Sequence, residues 1–196
     1  MQMESLSVVE VIPCYEHACV YSSVWSSAWP NIAIKAGYSI DQILERLEIR
    51  SISWWIKAIE KMPLAFYVVN NDTGATGIAY LMYDTDILLL SGKDVTSEDI
   101  EKHDKYPNVY SFLEKETWGT SLSKELGKNL VKKTLDKNIT IFGGWVMKTN
   151  ERSAAAAKKG HWKLLTEKDS PIWEKNIDFS YWLFDNTNFI KKESQS

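Results

Sequence analysis

Two stretches of the chain hold residue types whose spacing can do chemistry. In Phe112–Leu126 a strand ends, a tight loop of small residues follows, and a helix opens. Such a junction aims several backbone N–H groups at one point, and the helix N-terminus adds partial positive charge. Small side chains at Gly119, Thr120, Ser121 and Ser123 allow close backbone approach, so the junction suits a pyrophosphate. An ordinary N-cap at Thr120 or Ser121 explains the same residues without a ligand. Neither the G-x-x-x-x-G-K-[ST] of a P-loop nor a G-x-G-x-x-G fingerprint occurs. In the second stretch, Trp145–Lys163, a strand leads to Asn150 and then to a short alanine-rich helix. Asn150 is an N-cap by type and place. His17, His103 and His161 form no hydrolytic set, because no G-x-S-x-G elbow accompanies them. Cys14 and Cys19 lack the partners of a zinc site, so no metal is expected.

These stretches sit in a chain of 196 residues, 44% hydrophobic and 25% charged. That length suits one domain, expected over residues 1–190 with a disordered tail at 191–196. A formal net charge of −3 leaves no basic excess to displace phosphate counterions, which argues against a nucleic-acid partner. The longest apolar runs, such as Thr85–Ser91, are too short to cross a bilayer. The first residues lack the cationic start and apolar stretch of a secretory signal, so a cytoplasmic location is the default. Nine tryptophans is a high count; their bulk fills a core or walls a wide apolar pocket. Oligomeric state stays open, a homodimer included.

Periodicity supplies the elements that must position the two stretches. Leu6–Ile12 reads as a strand stopped by Pro13, and Tyr15–Trp29 as a helix ended by Pro30. Ser39 and Gln42 have capping-box spacing ahead of a second helix, and Ile52–Lys61 reads as a third. Leu64–Val69 and Thr76–Tyr83 flank strong turn chemistry and read as a hairpin. Ile87–Leu90 reads as a short further strand, and Lys93–Pro107 as a charged surface excursion with a helical turn begun at Thr96 or Ser97. Val109–Leu113 is a strand, Ser121–Lys137 a helix, Ile139–Met147 a strand and Asn150–Lys159 a helix. Strands from Trp162 and over Phe179–Phe184 complete the order. Strand–helix–strand succession in the middle requires a parallel pair, and the hairpins require antiparallel ones. The expected architecture is α/β, with one mixed sheet of six to seven strands and helices on both faces.

On these residues the chain resembles the GCN5-related N-acetyltransferase superfamily. Trp118–Leu126 is similar to that family's pyrophosphate loop: Gly119 and Leu122 match, while Ser121 and Ser123 stand where glycine or alanine is usual. Asn150 and Ser153 match the family's N-x-x-A/S, and Trp162 takes the place of a phenylalanine. The resemblance implies an acyl-CoA N-acyltransferase fold, acetyl-CoA as cofactor, and transfer of an acetyl group to a primary amine by direct attack. It places the cofactor on Leu113, Glu114, Lys115, Gly119, Thr120, Ser121, Leu122, Ser123, Asn150 and Ser153. It implies a general base, for which Glu114 or Glu116 is the choice, with Asp84 an outsider. The tyrosine that protonates the leaving thiolate in many members is replaced here by Ala154–Ala157, and Tyr181 is the substitute. The aromatic N-terminal helices also resemble a bacterial subgroup that walls its substrate pocket with them. The alternative is a non-catalytic binding or interaction protein that keeps the fold and has lost the acid.

Overall fold

The computed structural model describes residues 5–114, 121–174 and 177–187. Its elements follow in the order β1 Leu6–Glu10, α1 Tyr15–Lys35, α2 Ile40–Ile49, α3 Ile52–Lys61, β2 Leu64–Asn70, β3 Thr76–Met82, α4 Asp84–Leu90, α5 Ser97–His103, β4 Asn108–Leu113, α6 Ser121–Asp136, β5 Ile141–Met147, α7 Glu151–Lys159, β6 Lys163–Asp169 and β7 Phe179–Asp185. The strands form a seven-stranded mixed sheet in the order β1-β2-β3-β4-β5-β7-β6. By packing, the chain divides into two compact units, Met1–Tyr80 with Tyr110–Leu130 and Leu81–Val109 with Val131–Ser196.

In the first unit, β1 pairs antiparallel with β2, from Leu6↔Asn70 to Glu10↔Phe66. Burial alternates along β2 and is continuous along β3, as expected of strands with one and with both faces covered. Asn70 closes the hairpin between them. Its side-chain oxygen accepts from the N–H groups of Asp72 and Thr73 at 3.0 and 3.2 Å. Ser39 and Gln42 form the expected capping box of α2, and Ser51 caps α3 by accepting from Trp54 N–H. Helix α1 runs past Pro30, where the sequence predicts its end, and continues to Lys35. Burial outweighs the proline: Trp29 and Ala33, on either side of it, are both in the core. The Asn31 side chain also donates to the Ser27 carbonyl at 3.0 Å beside the break in the helical hydrogen-bond ladder. Tyr21 of α1 reaches the sheet, its hydroxyl lying 2.9 Å from the Phe66 carbonyl and 3.1 Å from that of Ala79.

In the second unit, β7 pairs antiparallel with β5, from Ile141↔Asp185 to Met147↔Phe179, and with β6 on its other side. The predicted parallel pair is present: Asn108 of β4 is in register with Gly143 of β5, and Gly143 N–H donates to the Pro107 carbonyl at 2.9 Å. The strand expected at Ile87–Leu90 is instead the end of helix α4. A short apolar run does not separate strand from helix, and the ends decide here. Asp84 and Asp86 fall in the first turn, where carboxylates suit the dipole, and Gly92 at φ 74° terminates the helix. Thr96 is the observed cap of α5, with Asp99 completing a capping box. Asp104 accepts from both the backbone N–H and the hydroxyl of Thr85, tying α4 to the end of α5.

Among the described residues, no helix is long and apolar enough to cross a membrane, and no cluster of His, Cys, Asp and Glu is arranged to hold a metal ion. Cys14 and Cys19 are not joined by a disulfide. Tyr21→Phe keeps the ring and strips two buried carbonyls of their hydroxyl, so it is expected to cost about 1–3 kcal/mol. Urea denaturation should show a lower midpoint with an unchanged slope.

Candidate active site

In the first unit, the strand end before the expected pyrophosphate loop is held from two sides. Leu113 packs its side chain over the bare Cα of Gly77, where Leu126 also lies. Glu114 N–H donates to the Thr76 carbonyl at 3.4 Å, and its carboxylate accepts from Thr76 N–H at 3.1 Å. Glu114 thus clamps the start of β3, an engagement the sequence did not suggest for it. Lys115, Glu116, Gly119 and Thr120 lie outside the described residues. Beyond them α6 opens at an exposed Ser121; Leu122 turns into the core, and Ser123 is half-buried. The first backbone N–H groups of a helix have no carbonyl one turn back.

The second unit gathers more polar groups than the sequence reading brought together. Asp84 is 1% exposed. One carboxylate oxygen accepts from the Trp145 indole N–H at 2.8 Å and the other from that of Trp173 at 3.2 Å. The Trp145 ring lies against the Tyr181 ring, with centroids 4.5 Å apart, as their cross-strand pairing requires. Tyr181 extends its hydroxyl diagonally over Gly143, and the Asn108 side chain ends at the same place. A Cβ on Gly143 would collide with both. The Asn108 side-chain oxygen is buried without a hydrogen-bond partner. A buried acceptor left unpaired costs about 1–3 kcal/mol, so the fold retains one here against a penalty. Burial first, then the negative charge of Asp84, pushes the Tyr181 phenol above the ordinary tyrosine range. It stays protonated at neutral pH and is available as a donor.

Asn150 caps α7: its side-chain oxygen accepts from Ser153 N–H at 3.2 Å. The two residues expected to act on a cofactor are therefore brought together by the cap itself, which leaves the amide NH₂ of Asn150 outside that bond. Ala157 is the buried position of α7. Asp84, only an outsider in the sequence, lies among these groups, while Asn108, Trp145 and Trp173 went unseen. A signal existed for Asp84 alone: a carboxylate two residues past the largely apolar strand β3.

A third group was missed altogether. Arg50, at the C-terminal end of α2, is buried in the first unit among tryptophan faces. Its guanidinium carbon is 4.7 Å from the Trp25 ring centroid, 5.0 Å from Trp54 and 5.9 Å from Trp55. Each such contact is worth about 0.5–2 kcal/mol. Taking the cation out of water costs several kcal/mol, so the rings offset only part of it. Tyr80 lies close to it, and burial pushes that phenol up to about 12.

Two outcomes follow. Gly143→Ala must displace the Tyr181 hydroxyl and the Asn108 side chain. It is expected to destabilise by about 1–3 kcal/mol in chemical denaturation. The buried phenols Tyr21, Tyr80 and Tyr181 all have folded-state values raised by burial. The folded protein therefore holds protons that the unfolded chain releases as pH passes the ordinary phenol value near 10. Their stabilisation is complete below that pH and declines as pH climbs through 10 toward 12 and beyond. Phenolate absorbance should lag in the native protein and appear at once on unfolding.

No family model matches the sequence, and no curated protein matches it significantly. Solved structures do. The PaiA N-acetyltransferase from Thermoplasma acidophilum in complex with coenzyme A superposes with a TM-score of 0.66 at 14% identity, over 92% of this chain and 99% of that one. The YncA structure from Salmonella typhimurium with its cofactor acetyl-CoA gives 0.59 at 8% identity, over 92% and 94%. An acetyltransferase of the GNAT family from Streptococcus pneumoniae gives 0.57 at 15% identity, over 91% and 98%. With its seven-stranded mixed sheet and its parallel β4–β5 pair, the chain has the acyl-CoA N-acyltransferase fold of the GCN5-related N-acetyltransferases.

Proposed function

We propose that the protein is an acetyl-CoA-dependent N-acetyltransferase acting on a primary amine. The observation that carries this reading is the fold, shared end to end with a protein solved in complex with coenzyme A. The donor set fits the cofactor: a helix N-terminus at Ser121–Ser123 suits its pyrophosphate, and the Asn150 amide suits the pantetheine arm. When bound, acetyl-CoA supplies an acetyl group activated as a thioester.

The chain's own residues would do the rest. An amine attacks only when deprotonated, so a carboxylate or a water it orients must take the proton. Asp84 is the carboxylate we put first for the task; indole N–H groups hold both of its oxygens, as Thr76 N–H holds one of Glu114. Two indole N–H groups hold Asp84 in place. Tyr181, protonated at neutral pH, would donate a hydrogen bond or a proton to the departing sulfur. It thereby replaces the tyrosine that α7 lacks at Ala154–Ala157. Glu116 and the loop residues Lys115, Gly119 and Thr120 belong to the same proposal as cofactor contacts or a second carboxylate. A cytoplasmic location is part of the reading.

Acetyl-CoA at a hundred times its dissociation constant should add about 2.7 kcal/mol to stability, seen as a higher unfolding midpoint. Thiol release on adding an amine panel should accompany it. Tyr181→Phe should lower kcat by about a hundredfold with little change in KM. Stabilisation without thiol release from any amine would favour a non-catalytic acyl-CoA-binding protein, a reading to which the alanines of α7 give weight. No stabilisation at millimolar cofactor would defeat both.

A further inference from the structure

We propose that Arg50 is the centre of a second binding site, which takes the carboxylate of a small organic acid. The residue is 9% exposed, so its charge is held almost wholly out of water. Tyr80, Arg46 and Tyr110 are the charged and titratable groups that act on it, and no carboxylate is among them. Arg46 is a second cation on the same aromatic wall, 5.8 Å from the Trp29 centroid and 5.4 Å from that of Tyr38. The wall also holds four buried indole N–H groups without a partner: those of Trp25, Trp29, Trp54 and Trp55.

Taken as core packing, this cluster is frustrated twice, by an uncompensated cation and by four idle donors. A carboxylate relieves both. It matches the guanidinium fork with two oxygens, and its remaining lone pairs can accept from an indole N–H. Aromatic faces around the charge favour a weakly hydrated monoanion with an apolar body over a heavily hydrated dianion such as phosphate. The site lies wholly in the first unit and needs no acetyl transfer to act.

The test is a titration of the whole protein, without acetyl-CoA, followed by tryptophan fluorescence and thermal unfolding. The probes are benzoate, the neutral isostere benzamide, and inorganic phosphate. Benzoate should quench saturably at millimolar concentration and raise the unfolding midpoint. Benzamide should do neither, and phosphate should bind at least about tenfold more weakly. Equal responses to benzoate and benzamide would show an apolar cleft and overturn the proposal. So would phosphate binding as tightly as benzoate, or the absence of saturation. Arg50→Gln should abolish the benzoate response. Trp54→Phe keeps an aromatic face, removes one N–H and leaves a small void, so it lowers the midpoint of the unliganded protein modestly while still folding. It should weaken benzoate by about tenfold. Unchanged affinity in Trp54→Phe, or in a folded Arg50→Gln protein, would overturn the assignment.

Discussion

The absence of one side chain at Gly143 sets the terms for the second unit. A strand in mid-sheet ordinarily carries a side chain at every position, and glycine there weakens pairing. Here the missing Cβ is the floor on which the Tyr181 hydroxyl and the Asn108 amide rest. The same residue forms the register point of the parallel pair with β4. Topology and chemistry thus meet at one position. The α6 crossover requires β4 and β5 to run parallel, the parallel pair sets Asn108 beside Gly143, and the glycine leaves room for a phenol from β7. Trp145 then passes that placement on to Asp84, packing at a tilt on one neighbour and donating to the other.

Tryptophan solves opposite electrostatic problems in the two units. Around Asp84 it works by its edge, where the indole N–H is a donor to negative charge. Around Arg50 it works by its face, where the ring quadrupole is attractive to positive charge. The edge arrangement satisfies donor and acceptor together. The face arrangement leaves each N–H pointing at nothing, which is why the two buried charges have such different standing. One is settled within its own unit, and the other awaits a counter-charge.

The broad architecture was legible because it follows from periodicity and punctuation. The strand–helix–strand order around α6 forced a parallel pair, and the turn chemistry at Asn70–Gly74 forced a hairpin. Capping residues placed α2 and α7 within a residue or two, whereas α5 fell in a stretch read chiefly as a charged surface excursion. Two readings failed where local rules meet burial. Pro30 reads as a stop, but the helix beyond it buries Ala33 and the proline is overridden. Ile87–Leu90 reads as a strand, because a run of four apolar residues has no period of its own. Of the candidate site, Asn150 could be named from sequence because its type and place match a pattern, and Tyr181 only as a substitute for the tyrosine that Ala154–Ala157 lacks. Asn108 and Arg50 could not. An asparagine after a proline and an arginine ending an amphipathic helix look like solvated residues, and only long-range packing buries them.

The Tyr21 hydroxyl has a consequence for how α1 can behave. It possesses one proton and faces two carbonyls, so at any instant one of them is served and the other waits. The hydroxyl must rotate between them, while its oxygen stays pinned over two adjacent strands. Sliding or peeling of α1 from either strand therefore costs this shared hydrogen bond, about 1 kcal/mol. The same helix buries Trp25 and Trp29, so its aromatic side chains move only with that anchor.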